Sequence, residues 1–266
     1  MPETLLQQLL PVCREAGEAI LQVYNSAFQV DRKSDDSPVT MADMAAHRLL
    51  VPALQQLEAI PVLSEEAEIP DFQQRRHWRR YWLIDPLDGT REFIQRNPDF
   101  TVNVALIENH QPILGIVHAP VSGTTYGGIP GVGAWKFEQG VHTVIHARDA
   151  ADRLELVVSR HHGGRAAEPL IKTLSNHYGQ INLQYVGSSL KLCLVAEGKA
   201  DLYPRLAPTC EWDTAAAQAV VEAAGGRVVN SQMAPLQYNI KASLLNPHFF
   251  VLGKGDFDWA SLLSSY

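Results

Sequence analysis

Asp85 and Asp88 stand three positions apart in the run Trp82-Leu83-Ile84-Asp85-Pro86-Leu87-Asp88-Gly89-Thr90-Arg91-Glu92-Phe93. Two carboxylates and the intervening Leu87 carbonyl are hard oxygen donors, the ligand type that suits magnesium, whereas zinc or copper would want His or Cys. Pro86 has a fixed φ and biases Asp85 toward extended backbone, so the apolar run Tyr81 to Ile84 is expected to end as a strand in a stiff corner. Gly89 takes backbone angles that other residues resist, and Thr90 is expected to cap a following helix whose first N–H groups form an anion site. Oxygen ligands facing an anion site are what a magnesium-dependent phosphate enzyme needs. Asp-Pro and Asp-Gly are also ordinary turn punctuation, so the stretch by itself equally describes a solvated turn.

Three further acids stand at the ends of expected elements. Asp43 lies in the first turn of a helix read from Met41 to Ala59, where an acid is usually a dipole partner. Glu65 follows the short apolar strand Ile60-Pro61-Val62-Leu63, in Ser64-Glu65-Glu66, where paired acids are often mere solubilising charge. Asp213 precedes a helix from Ala215 to Ala224 closed by Gly225-Gly226, and an N-cap is its plain reading. If the fold converged Glu65, Asp85, Asp88 and Asp213, their repulsion would raise their pKa values unless cations neutralised them. Two or more ions held there could clamp a phosphoryl oxygen and activate water. Spacing does not show that convergence.

The elements that must position these residues fall into two rhythms. Leu5, Leu6, Leu9, Leu10, Cys13, Ala16, Gly17, Ile20 and Tyr24 recur at helical spacing and predict a long first helix. The polar stretch from Ala67 to Arg80, with Arg75, Arg76, Arg79 and Arg80, is expected to be a surface excursion. Strands are expected at Thr101–Glu108 and Ile113–His118, joined as a hairpin, then at Thr124–Gly127 and Gly133–Phe137. From Leu154 the pattern alternates strand and helix, with Leu154–Ser159, Glu168–His177, Ile181–Val186 and Leu190–Ala196. Strands at Leu202–Arg205, Arg227–Val229 and Phe249–Leu252 and a helix from Phe257 to Leu263 complete the chain. The expectation is an α/β protein with an α+β half over 1–150 carrying most metal ligands, and an α/β half over 151–266 carrying Asp213.

Whole-chain properties narrow the function classes. With 266 residues, 46% hydrophobic and 19% charged, the chain can bury a large core. A net charge of −7 argues against a broad nucleic-acid surface but not against a small anion, because bound divalent cations reverse the local field. Cys13, Cys193 and Cys210 form no C-x-x-C pair and fit reduced thiols in the cytoplasm. Glu3, Arg14 and Glu15 within the first periodic helix argue against a signal peptide, and no apolar run approaches the roughly 20 residues of a membrane span.

Ser64-Glu65-Glu66, Trp82 to Thr90 and Trp212-Asp213-Thr214-Ala215-Ala216 together resemble the inositol monophosphatase superfamily. Its hallmarks are a strand-end G/S-E-E, a W-x-x-D-P-[IL]-D-G-T and a later W-D-x-[AT]-A. The resemblance runs over the whole chain and implies a layered α-β-α-β-α sandwich with lithium-sensitive, magnesium-dependent phosphomonoester hydrolysis. Within the superfamily the chain looks most like the bacterial 3'(2'),5'-bisphosphate nucleotidases. The segments Gly187 to Gly198, Leu202 to Arg205, Arg91 to Ile94, Phe100 to Asn103 and Val158 to His161 carry that likeness. It implies release of the 3'-phosphate of adenosine 3',5'-bisphosphate, a by-product of sulfate assimilation, to give AMP.

By that resemblance, Glu65 and Asp85 with the Leu87 carbonyl hold one magnesium, and Asp85, Asp88 and Asp213 a second. Glu65 helps to place a third, weaker ion through water. Thr90 paired with Asp43 orients and deprotonates the attacking water, and the N–H groups of Gly89 and Thr90 grip the scissile phosphate. Ser188, Lys191 and Arg205 suit the 5'-phosphate, and His161 the adenine. Three places depart from the family pattern: the glycine-rich Tyr126 to Gly131, His161-His162-Gly163-Gly164, and Cys210-Glu211, where a neutral pair is expected. None is a metal ligand. The alternatives are an enzyme of the same fold acting on inositol phosphates or fructose 1,6-bisphosphate, a non-catalytic magnesium or nucleotide sensor, and an interaction protein whose acids are solvated turns. The resemblance also raises the expectations of a homodimer and of a peripheral contact with the cytoplasmic face of the inner membrane.

Overall fold

The helical spacing of the first apolar residues is realised as α1 (Pro2–Tyr24), which buries Leu6, Leu9, Leu10, Cys13, Ala16 and Ile20. The computed structural model describes residues 2–26, 30–32, 38–150, 153–160, 164–255, 257–263 and 266. A two-stranded ribbon, β1 (Val30–Arg32) and β2 (Pro38–Thr40), leads into α2 (Met41–Leu57). Next come β3 (Val62–Ser64), the short α3 (Phe72–Arg75), β4 (Arg80–Asp88) and α4 (Thr90–Ile94). A meander follows, of β5 (Thr101–Glu108), β6 (Gln111–Ala119), β7 (Thr124–Ile129), β8 (Gly133–Glu138) and β9 (Val141–Val144). Then β10 (Glu155–Ser159), α5 (Gly164–Tyr178), β11 (Asn182–Val186), α6 (Leu190–Ala196) and β12 (Leu202–Arg205) alternate. A 3-10 turn over Glu211–Asp213 opens α7 (Ala215–Ala223), followed by β13 (Arg227–Asn230), β14 (Phe249–Leu252) and α8 (Trp259–Leu263).

Strands β3 to β9 form a seven-stranded sheet in chain order, antiparallel except for the parallel pair β3–β4. The second sheet has five strands in the order β11-β10-β12-β14-β13, with β10 parallel to both its neighbours. One core lies between α1, α2 and the outer face of the large sheet, around Leu9, Leu50, Trp82, Phe93 and Phe100. A second lies between the sheets, where α6 and α7 bury Val195, Val220 and Val221 against Leu83, Val117, Tyr203 and Val251. A third holds α5 and α8 on the far face of the small sheet, through Leu170, Leu174, Trp259 and Leu263. This is the layered α-β-α-β-α arrangement that the motifs imply.

Three expectations are corrected. Strand β4 does not end at Pro86 but continues to Asp88, with a register shift between Asp85 and Asp88 against β5. A bulge tolerates a residue without an N–H, so proline bends the strand there instead of stopping it. Thr90 is not the helix cap: Gly89 takes that position at φ 94°, and Thr90 is the first helical residue. The stretch from Ala67 to Arg80 is not wholly a surface excursion, because Arg75 is 1% exposed.

The glycine-rich segment beginning at Tyr126 is a strand, and its composition has a packing reason. Gly115 on β6 and Gly128 on β7 are register partners, and α7 lies across both. A Cβ on Gly115 would sit 2.0 Å from the Ala216 carbonyl oxygen, and one on Gly128 2.5 Å from Val220 Cα. Helix α7 therefore rests backbone against backbone on the large sheet, which fixes the height at which its N-terminal end meets that sheet. Gly115→Ala is expected to destabilise the protein by about 1–3 kcal/mol, the usual cost of overpacking. Urea unfolding measures this, and an unchanged midpoint would mean that α7 can lift without cost.

Candidate active site

The bulge in β4 turns Asp85, Asp88 and the Leu87 carbonyl toward the junction between the two sheets. Asp85 is 2% exposed, and its Oδ1 accepts the Leu87 N–H at 3.0 Å, an Asx-type bond that fixes the carboxylate across Pro86. Asp213 arrives from the opposite side on the 3-10 turn before α7, and its Oδ2 accepts the Cys210 N–H at 2.9 Å. Asp213 is therefore not the cap of α7 that its place in the sequence suggested: Thr214 takes that position, and the Asp213 side chain reaches back to Cys210, which engages only one of its oxygens. One carboxylate oxygen each from Asp85, Asp88 and Asp213 lies within 4.8 Å of the others. Glu65, directly after β3, lines the same cavity.

Such crowding has an electrostatic signature. The Asp85 carboxyl is pushed well above the usual carboxylate range, first by burial and then by the charges of Glu65, Asp88, Asp213 and Asp43. Asp213 is raised in the same way, by burial and then by Asp88 and Glu65, with the Cys210 N–H and Arg205 acting in the opposite direction. Carboxylates that repel one another at this range, all with oxygen donors, fit a divalent hard cation.

Asp88 is held by the other half of the chain. Its Oδ2 meets the Ser189 N–H at 2.7 Å and the Ser189 hydroxyl at 2.8 Å. Ser189 begins α6 without capping it; its hydroxyl also lies 2.9 Å from the Asp213 carbonyl, and Asn103 Nδ2 donates to it at 2.7 Å. Sequence reasoning gave no role to Ser189 or Asn103. Asn103 had a signal, being a polar side chain in the middle of the apolar strand β5, where only a specific partner repays its burial. Ser189 had none beyond its place at a helix start.

A cavity of about 270 Å³ opens over the cluster. It is lined by Glu65, Asp85, Leu87, Asp88, Gly89, Thr90 and Asp213 and also by Ser188, Lys191 and Arg205, so one space gathers both residue groups singled out in the sequence. Lys191 is 6% exposed, donates to the Ser188 carbonyl and lies 5.5 Å from the centre of the Tyr203 ring. Arg205 Nε and Nη2 donate to the Ala207 and Pro208 carbonyls at 3.1 and 2.9 Å, which fixes its guanidinium. Ser188 stands at φ 42° beside the Thr101 hydroxyl. Thr90 Oγ1 lies 3.5 Å from the Leu87 carbonyl. Asp43 is buried in the first turn of α2 and does not line the cavity, although Asp85 feels its charge. His161 lies outside the described residues. Glu92, Ser159, Thr209 and Phe249 line the cavity as well and were not singled out.

The sign of the pKa shifts gives a test. Asp85 and Asp213 are raised in the folded, metal-free protein, so the stability they contribute is lost as pH rises through their folded values. A bound divalent cation removes that repulsion. The gain in Tm on adding magnesium chloride is therefore expected to be larger at pH 8 than at pH 5, and a gain independent of pH would separate the cluster from metal binding.

Comparison with known proteins agrees with this geometry. The inositol monophosphatase family model matches residues 1–249. The 3'(2'),5'-bisphosphate nucleotidase CysQ of Escherichia coli O157:H7 is 50% identical over 250 residues, covering 93% of this chain and 99% of that protein. The enzyme of the same name from Aggregatibacter actinomycetemcomitans is 40% identical and covers 98% of this chain and 97% of its own length. Among solved structures, CysQ from Bacteroides thetaiotaomicron superposes with a TM-score of 0.84 at 41% identity, over 95% of this chain and 98% of that one. The inositol monophosphatase of Thermotoga maritima, at 23% identity and a TM-score of 0.74, shares the fold. A family model that covers the whole large sheet and every acid of the cluster leaves one conclusion: this chain belongs to the inositol monophosphatase family.

Proposed function

We propose that the chain is a magnesium-dependent, lithium-sensitive 3'(2'),5'-bisphosphate nucleotidase that hydrolyses adenosine 3',5'-bisphosphate to AMP and phosphate. The observation that carries this reading is the union, in one cavity, of the carboxylate cluster with Lys191 and Arg205. A monophosphate needs only the first group, whereas a bisphosphate presents a second dianion for the two cations.

The residues divide the work. Glu65, Asp85 and the Leu87 carbonyl are assigned to one magnesium, Asp85, Asp88 and Asp213 to a second, and Glu65 through water to a third. Magnesium bound there supplies charge stabilisation of the phosphoryl and leaving oxygens and a lowered pKa of water. The Gly89 and Thr90 N–H groups receive the scissile phosphate where the left-handed Gly89 turns the chain into α4. Thr90 and Asp43 are assigned to the attacking water: Thr90 orients it in line with the ribose 3'-oxygen, and as Thr90 receives the water proton its own hydroxyl proton passes to the Asp43 carboxylate. The tie between Ser189 and Asp88 holds that carboxylate in one rotamer, so its geometry is set before substrate arrives. Ser188, Lys191 and Arg205 hold the 5'-phosphate, and His161 the adenine.

Phosphate release from adenosine 3',5'-bisphosphate, compared with inositol 1-phosphate and fructose 1,6-bisphosphate, tests the substrate. The nucleotide is expected to have the highest kcat/KM, with release suppressed by lithium; a preference for the inositol ester would discard the cationic subsite and keep the metal site. Asp88→Asn is expected to lose most of kcat while folding normally, and binding without any turnover in the native protein would revive a sensor role.

Burial pushes the Lys191 ammonium down to about 8, with Asp88 acting against the shift and Arg205 with it. Above that pH the side chain is neutral and no longer attracts a phosphate. KM for the bisphosphate is expected to climb as pH rises past about 8. In Lys191→Met it should be high at every pH, and parallel profiles for the two proteins would remove Lys191 from the subsite.

A further inference from the structure

Next to the Asp213 turn, and outside the lining of the cavity, lies a buried polar group that the proposed chemistry does not use. Arg75 at the end of α3 is 1% exposed and Glu211 at the start of the 3-10 turn is 0% exposed. Asn239 joins them. Its backbone N–H donates to Glu211 Oε2 at 2.8 Å, its Oδ1 accepts from Arg75 Nη1, and its Nδ2 donates to the Arg75 carbonyl at 2.6 Å. Arg75 Nη2 also donates to the Ala242 carbonyl. The Glu211 N–H donates in turn to the Leu244 carbonyl at 2.8 Å. The loop from 238 to 246 is thus fastened at one end to the first half of the chain and at the other to the turn that carries Asp213.

Two features set this group apart from ordinary packing. Arg75 Nε, Tyr81 Oη and Glu211 Oε1 are all buried without a hydrogen-bond partner among the described residues. Asn239 stands between the buried Arg75 and Glu211. Buried charged groups are commonly replaced by apolar residues at no loss of stability, so cohesion alone does not account for this arrangement; the best-attested use of such groups is to fix one register of packing. Here the register it fixes is that of a turn only two residues from a ligand oxygen.

We infer that Arg75 and Glu211, joined through Asn239, are positioning residues that hold Asp213 at the distance from Asp85 and Asp88 at which one cation can be shared. The inference rests on the metal reading of the carboxylate cluster. The departure from the family pattern at Cys210-Glu211 then has a structural counterpart: the acid at position 211 is matched by the buried arginine at position 75.

The test is titration of Mn²⁺ into the full-length protein, followed by the loss of its free-ion electron paramagnetic resonance signal, with Tm measured alongside. Glu211→Ala is expected to weaken Mn²⁺ binding roughly tenfold, as loss of a partner behind a metal ligand commonly does. Glu211→Gln keeps an acceptor for the Asn239 N–H and is expected to stay within about threefold of the native affinity, well below the roughly tenfold to hundredfold loss that follows removal of such a partner. A purely structural role would lower Tm in both variants and leave the Mn²⁺ affinity of the folded protein unchanged, which overturns the inference. If Glu211→Ala does not fold, Arg75→Lys retains charge without the two-pronged grip, and native affinity in that variant overturns it equally. A native protein that takes up no Mn²⁺ refutes the metal reading itself and this inference with it. Native uptake with unaffected variants refutes only the positioning role.

Discussion

Like charges placed within one ion's reach, and mostly out of water, are the constraint to which the rest of this structure answers. Asp85, Asp88 and Asp213 each offer an oxygen inside a 4.8 Å span, and burial raises Asp85 and Asp213 before their neighbours add to the shift. No single element could hold three such groups together. The cluster exists because a bulged strand, a 3-10 turn and the start of α6 are each anchored elsewhere by cores large enough to absorb the repulsion. Desolvation of this kind costs several kcal/mol per ion in a protein interior. The three apolar layers around α1 and α2, around α6 and α7, and around α5 and α8 are the source from which that cost is offset.

Beside the apolar core between the two sheets, short and specific polar contacts join them near the site. Ser189 belongs to the second half yet supplies two hydrogen bonds to Asp88 of the first. Asn103 of β5 reaches back to Ser189, and the Tyr238 N–H donates to the His110 carbonyl at 3.0 Å. Asp99 accepts from both Arg160 and the Gly187 N–H, a further polar link across the same divide. The site is thus assembled from both halves, and the polar groups at the seam fix its spacing while the apolar groups supply its stability.

Much of this was legible before any coordinates. The periodicity of Leu6 to Ile20, the alternation after Leu154 and the glycine stop at Gly225 are local signals, and the elements they predict are present. The acids could be nominated from their places at element ends, because strand ends and helix starts are where a fold can direct a carboxylate into a shared cavity. What the sequence hid was long-range. Arg75 sits among four arginines in a polar stretch, and only a partner 164 residues away makes it a buried residue. Ser189 drew no role because nothing in its neighbourhood reveals that Asp88 stands opposite. Pro86 seemed to end a strand because the bulge that accommodates it is a property of the pairing with β5, not of β4 alone.

The seat of α7 on Gly115 and Gly128 has a dynamic consequence. Packed helices ordinarily slide by small amounts as interdigitated side chains exchange rotamers. Backbone set against backbone has no rotamers to exchange, so α7 and the large sheet are expected to move as one rigid body. Asp213, at the head of that helix, is carried with them. The spacing between Asp213 and the sheet that carries Asp85 and Asp88 would then stay constant.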